Sequence, residues 1–241
     1  MSSFTFNGIS STDLGIIITS PPFRPSWTEE KEEIEVLGRP AKLRRATGVY
    51  ANQDLRINAV ISDCSKIHDI YSALQGRGKL ILSTAPTEYL ICDALSLVPE
   101  GVALEMAEIP LVFTCEPFAY AVDPTVIDIS SATEYVKIDN AGTVKGRPII
   151  TFKPSGTSPV TITTNDDELI VKIPETVSNG GYAITIDSEI MIAYYTDADG
   201  SKISCTEYTT GHFPLLHVGE NYIKYSGEIS EMNINMNERW F

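Results

Sequence analysis

The chain has 241 residues, with 18 Lys+Arg against 32 Asp+Glu and a formal charge of −14. At 43% hydrophobic and 21% charged it has the composition of a packed globule and not of a disordered tail. The acid excess argues against tight, sequence-specific binding to nucleic acid, which needs clustered Lys and Arg. With 28 Ile, 22 Thr and 14 Val, about a quarter of the chain is β-branched. Such side chains suit a pleated surface, so the expected class is mainly β.

In chain order, Phe4-Thr5-Phe6 reads as a short strand, and Asn7-Gly8 is a tight-turn signal. A second strand is expected over Asp13–Ile18. The run Pro21-Pro22-Phe23-Arg24-Pro25 then breaks any regular element. The opening MSSFTFNGISS carries no signal-peptide pattern, and no apolar run reaches membrane-span length. A protein made in the cytoplasm, without a membrane partner, is therefore expected.

Residues 29–45 form an acidic arm, with Glu29, Glu30, Glu32 and Glu33, and a basic arm, with Lys42, Arg44 and Arg45, joined through Gly38-Arg39-Pro40. An extended hairpin is expected, with few side chains able to reach a core. Two readings stand open. One is a solvated charged loop; the other is an arm along another subunit, where opposite charges set register.

Asp54–Ile61 alternates as a half-buried strand does. Ile67, Ile70, Tyr71 and Leu74 then share one helical face, predicting a helix over about 64–76. Ser62 or Asp63 is positioned to cap its start, and Gly76 and Gly78 to close it. Strands follow at Lys79–Leu82, Glu88–Cys92 and, as one long element, Val102–Phe113. In the last, Val102, Leu104 and Met106 alternate with Ala103, Glu105 and Ala107, and a change of phase near Glu108-Ile109-Pro110 predicts a bulge or an edge. A domain boundary is expected at Asp123-Pro124, giving domains 1–124 and 125–241. Beyond it lie six strand signals: Ile149–Phe152, Val160–Thr163, Leu169–Ile173, Ala183–Ile186, Ile190–Tyr195 and Tyr222–Tyr225. Turn residues separate them and no helix is expected, which is the pattern of an antiparallel sandwich.

No residue pattern in the sequence points to catalysis. No GxSxG, HExxH, P-loop or GxGxxG pattern occurs; His68 reads as a surface residue of the helix, and His212 and His217 flank Phe213-Pro214-Leu215-Leu216. Cys64, Cys92, Cys115 and Cys205 have no zinc-ligand spacing and are expected as free thiols. Asp197-Ala198-Asp199-Gly200 lacks the later ligands of a calcium loop and reads as a hairpin turn. Asp166-Asp167-Glu168 reads as a solvated turn. No catalytic residue, metal or cofactor is expected. Tyr194, Tyr195, Tyr208, Tyr222 and Tyr225 leave a carbohydrate-binding adhesin open as a second reading.

Several motifs stand in order along the chain: Phe4-Thr5-Phe6-Asn7-Gly8 with Leu14-Gly15, the charged hairpin with Gly38-Arg39, Glu116-Pro117-Phe118-Ala119-Tyr120, and Asn140-Ala141-Gly142 with Arg147-Pro148-Ile149-Ile150. Near the end come Phe213-Pro214-Leu215-Leu216, Gly219-Glu220-Asn221 and Arg239-Trp240-Phe241. In this order and spacing they resemble the distal tail proteins (Dit family) of siphophages and prophages of Gram-positive bacteria. Gly38-Arg39-Pro40 departs from relatives, which commonly continue with Gly or Asp. The resemblance implies a β-barrel or sandwich domain with one helix and a hairpin arm, followed by a galectin-like β-sandwich. It implies a homo-oligomeric ring, six-fold as a rule, at the virion tail tip, assembled in the host cytoplasm. The first domain would build the ring between the tail tube protein and a tail-associated lysin or fibre protein. The arm, with Glu29, Glu30, Glu32, Glu33, Arg39, Lys42, Arg44 and Arg45, would belt the neighbouring subunit. The second domain would sit at the periphery and dock receptor-binding proteins or side fibres, and DNA would pass through the channel.

Overall fold

A computed structural model describes residues 2–24, 26–97, 101–103, 106–130, 134–165 and 167–241. Pro25, Leu104, Glu105 and Asp166 lie outside the described residues, as do the side chains on which the alternation over 102–107 rests. The chain forms two compact units, one of residues 1–122 with Phe241 and one of residues 123–240.

The first unit opens with β1 (Phe4–Phe6) and β2 (Ile9–Ser10), which pair antiparallel with Phe6 opposite Ile9. Asn7 and Gly8 make the two-residue turn at φ 48° and 84°, both left-handed, as a type I′ hairpin demands. β3 (Ile16–Ile18) is shorter than the expected strand. β4 (Glu29–Ile34) and β5 (Leu43–Tyr50) form a separate two-stranded ribbon. β6 (Gln53–Ile61) buries Leu55, Ile57, Ala59 and Ile61 and exposes Asp54, Arg56 and Asn58, the expected period of two.

The expected helix is α1 (Ile67–Leu74), preceded by a 3₁₀ turn over Cys64–Lys66. Asp63 caps the turn: its carboxylate accepts the Ser65 backbone N–H at 3.0 Å and the Ser65 hydroxyl at 2.6 Å. Those two bonds favour the ionised acid and hold Asp63 below its ordinary pKa. Ile70 and Leu74 are buried, Ile67 and Tyr71 half-buried, and His68 is exposed.

β7 (Arg77–Leu82), β8 (Ala85–Leu97), β9 (Gly101–Ala103) and β10 (Met106–Ala121) complete the unit. The sheet runs β2-β1-β7-β8-β10-β6-β3, with β9 also on β10. The single strand expected from Val102 to Phe113 is two, since β9 pairs antiparallel with the start of β10. Toward β6, β10 keeps register from Ala107 to Cys115, but on its other edge the register moves by one residue between the pairs Glu108–Gly101 and Leu111–Leu97, which is where the change of phase was expected. Further irregularities against β8 fall between Leu111 and Phe113 and between Cys115 and Ala119. Pro110 stands where β10's other edge passes from β9, ending opposite Glu108, to β8, beginning opposite Leu111. The core gathers around Phe113, whose ring lies 5.6 Å from both Phe4 and Phe6.

The second unit is a two-sheet sandwich. Its strands are β11 (Val126–Asp128), β12 (Val136–Asn140), β13 (Ile149–Pro154), β14 (Val160–Thr164), β15 (Asp167–Val171), β16 (Ile184–Asp187) and β17 (Ile192–Thr196). β18 (Lys202–Ser204), β19 (Thr209–Gly211), β20 (Gly219–Ser226) and β21 (Ile229–Asn235) follow. One sheet runs β11-β21-β13-β16-β17-β18 and the other β12-β20-β14-β15-β19. Phe152, Ile162, Leu169, Ile186, Ile223, Met232 and Ile234, drawn from both sheets, share one core. A short helix not expected from the sequence, α2 (Glu175–Gly180), follows Pro174 and buries only Val177. One and a half turns are too few to show a 3.6-residue period. Asp197 makes the β17–β18 turn, its carboxylate accepting the N–H groups of Asp199 at 3.0 Å and Ser201 at 2.9 Å.

The motif Asn140-Ala141-Gly142 has a steric cause. A Cβ on Gly142 would lie 2.4 Å from the backbone oxygen of Arg239, and that oxygen accepts the Thr143 N–H at 3.0 Å. The Arg239 side chain is anchored alongside, donating to both Glu189 carboxylate oxygens at 3.2 and 3.1 Å and to the Lys145 carbonyl at 2.5 Å. Gly142→Ala is expected to destabilise the second unit by about 2 kcal/mol or more, because backbone must move to admit one methyl. Urea unfolding checks it; a loss under about 0.5 kcal/mol would mean that the segment relaxes freely.

Candidate functional site: an exposed charged hairpin

The ribbon β4–β5 projects twenty consecutive exposed residues, 30–49. Lys31 stands opposite Ala46, Glu32 opposite Arg45, Glu33 opposite Arg44 and Ile34 opposite Leu43, with a register shift between Glu29 and Lys31. The tip closes by a bond from the Arg39 N–H to the Val36 carbonyl at 3.0 Å, with Gly38 at φ 82°. A left-handed third residue is the type II arrangement, which glycine accepts without strain. Pro40 follows the turn and leaves that bond intact.

The charges pair across the strands. Glu33 meets Arg44 Nε at 3.2 Å and Lys42 Nζ at 3.5 Å, and Lys42 also reaches Glu35 at 3.3 Å. At the foot, the Glu29 carboxylate accepts the Gly48 N–H at 3.0 Å, and the Thr47 hydroxyl donates to the Glu30 carbonyl at 2.8 Å. Glu32 and Arg45 share a register position, while the tip places Arg39 apart from the ladder of acids. These exposed pairs are worth roughly 0–1 kcal/mol each and set register more than they supply stability.

The charged residues of the ribbon are legible in the sequence; the exposure of the apolar ones between them is not. Ile34, Val36, Leu37, Leu43 and Val49 are all exposed, and Leu37 at the tip is fully so. Ile34 and Leu43 face each other across the ribbon, so apolar side chains are displayed on an element that has no core of its own to bury them. The signal was Ile34-Glu35-Val36-Leu37, an apolar cluster following the acidic run.

The foot of the arm is anchored by aromatics within the first unit. Tyr50 lies 5.4 Å from the Phe118 ring and 5.1 Å from the Phe241 ring, and Phe118 and Phe241 are 5.7 Å apart. Arg24 pairs with Glu88 and also donates to the Phe241 carbonyl. This explains why the Glu116-Pro117-Phe118 stretch interrupts the β8 register: the offset between Cys115 and Ala119 brings Phe118 to that cluster.

The tyrosines of the second half do not gather on one face. Tyr194 and Tyr195 are on β17 and Tyr222 and Tyr225 on β20, in different sheets. Tyr195 is buried and stacked on Tyr182 at 5.7 Å, and the Tyr225 hydroxyl donates to the Ser130 carbonyl at 2.7 Å. Glu220 is bonded to both Lys137 and Tyr222, which holds its carboxyl below the ordinary range and raises Lys137 and Tyr222. Among the described residues no helix is long and apolar enough to cross a membrane.

No protein-family model matches the chain, and no curated protein is similar to it in sequence. Solved structures are similar in fold. The crystal structure of the SPP1 Dit (gp 19.1) protein, described as a paradigm of the hub adsorption apparatus in Gram-positive infecting phages, superposes with a TM-score of 0.76 at 14% identity, covering 100% of both chains. A chain of the phage P2 baseplate in its activated conformation with Ca superposes at 0.57 and 8% identity, over 99% of this chain and 98% of that one. The corresponding chain with Sr gives 0.57 and 8%, over 98% and 97%. Along its whole length, therefore, the chain has the fold of the SPP1 Dit protein.

Proposed function

We propose that this chain is a structural subunit of a phage tail tip, forming a ring by contacts between copies. The observation that carries the reading is the exposed arm, charged along its strands and apolar at its tip, on a chain with the Dit fold throughout. A closed ring needs a heterologous interface, one surface offering a feature and another receiving it. In this reading residues 29–45 lie along the next subunit, and the charged set from Glu29 to Arg45 fixes register there. The ring is six-fold and has a central channel for DNA. It joins the tail tube protein to a tail-associated lysin or fibre protein, and the sandwich docks receptor-binding proteins or side fibres at the periphery. The protein acts without catalysis, in the tail of a virion assembled in the host cytoplasm. Light scattering on the purified chain is expected to give six times the 26.4 kDa subunit mass, with rings in negative-stain images. A single-chain mass at high concentration, with and without the tail tube protein, overturns the reading.

A further inference from the structure

Cys92 of β8 and Cys115 of β10 are direct cross-strand partners in the middle of the first unit's sheet. Their sulfurs lie 2.6 Å apart and both side chains are wholly buried. That separation is inside the van der Waals contact of two sulfurs and about 0.5 Å beyond a disulfide bond of about 2.05 Å. Directly opposed residues of an antiparallel pair have Cα atoms about 4.5 or 5.5 Å apart, and both values lie within the span a disulfide bridges. Neither strand has freedom to slip. Cys92 is also paired with Gly78 of β7, and Cys115 with Gln53 of β6. The other cysteines stand elsewhere, Cys64 in the turn before α1 and Cys205 in the second unit.

We infer that Cys92 and Cys115 are an oxidisable pair that closes to a disulfide when the protein meets a peroxide. One thiolate attacks hydrogen peroxide, breaking the O–O bond, to give a sulfenic acid and hydroxide. The second sulfur then displaces the sulfenic oxygen, forming the S–S bond. In all, two thiols lose two hydrogens and one peroxide becomes two waters. The bond staples the two longest strands of the sheet beside the offset at Cys115/Ala119.

The environment makes the pair slow to react and hard to reverse. The bond with Cys115 and burial both hold the Cys92 thiol protonated, well above its ordinary pKa, and the carboxylates of Asp93 and Glu116 add to this. The thiolate is the reactive form, so closure is slow, and a bond formed there is screened from soluble thiols. In a reducing cytoplasm the thiols persist, and closure belongs to an oxidising setting. The inference is independent of the tail-tip reading.

The test treats the purified full chain with hydrogen peroxide, then denatures it and alkylates the remaining thiols before mass spectrometry. The expected product is two hydrogens lighter, alkylated at Cys64 and Cys205, and yields a peptide linking Cys92 to Cys115. The Cys115→Val variant is expected to keep Cys92 alkylatable through the same treatment. Full alkylation of all four cysteines in the treated wild-type chain overturns the inference. So does Cys92 or Cys115 linked to another cysteine, or recovered as sulfinic or sulfonic acid.

Discussion

A chain from which residues 31–46 are removed, and replaced by a short Gly-Ser turn, is expected to fold normally and to stay a monomer. No side chain from 30 to 49 is buried, so both cores remain intact and the melting midpoint should move little. What is lost is the surface offered to a neighbour. Magnitudes separate the two kinds of arm residue. An exposed ion pair such as Glu33–Arg44 is worth roughly 0–1 kcal/mol. Covering an apolar side chain such as Leu37 is worth about 1.5–3 kcal/mol, repeated at each interface of the ring. Leu37→Asp should therefore weaken assembly by more than tenfold, and Glu33→Gln by only a few-fold. Light scattering across a concentration series reads both. If the arm-deleted chain keeps the ring mass, the arm is a solvated loop and closure lies elsewhere.

The other large effect is expected at Asn221. It is wholly buried and all four of its hydrogen-bonding positions are used. Its oxygen accepts from the His217 N–H at 2.7 Å and the Asn165 side chain at 2.9 Å. Its amide donates to the carbonyls of His217 at 2.8 Å and Gly219 at 2.7 Å. Asn165 in turn accepts the Tyr222 N–H at 3.0 Å, and Asn140 donates to the same His217 carbonyl at 3.2 Å. Asn221→Leu strands several buried groups at about 1–3 kcal/mol each, so a loss of about 4 kcal/mol is expected. That is much of the stability of an ordinary domain. Asn233→Ala, at an exposed site on β21, should cost under about 0.5 kcal/mol in the same urea titration. Equal effects at the two positions would refute the network account.

The Asn7-Gly8 hairpin, the stripe of α1 and the six strand signals of the second half were readable because each is a local pattern: a turn dipeptide, a period of 3.6, a period of 2. β21 was not readable, although it pairs with both β11 and β13 in the sandwich. Its buried Met232 and Ile234 are interleaved with Glu231, Asn233 and Asn235, too few apolar residues to rise above their neighbours. The motif Gly219-Glu220-Asn221 was visible as a pattern, but its cause is long-range, resting on partners at 165 and 217 that only the fold assembles. The arm was read from its charges, because charge runs are conspicuous. Its exposed apolar tip was passed over, because apolar residues in a sequence suggest burial.

The arm also has a bearing on ionic strength. It holds five acids (Glu29, Glu30, Glu32, Glu33, Glu35) and five bases (Lys31, Arg39, Lys42, Arg44, Arg45), so its net charge is zero in a chain of −14. The whole surplus of acid therefore lies outside it. Two copies carrying that surplus repel one another on average, and added salt screens the repulsion beyond about 10 Å at 0.1 M. The arm itself adds nothing to that repulsion. Because its own charges cancel and its apolar tip carries most of the expected attachment energy, attachment through this hairpin should change little as salt is raised.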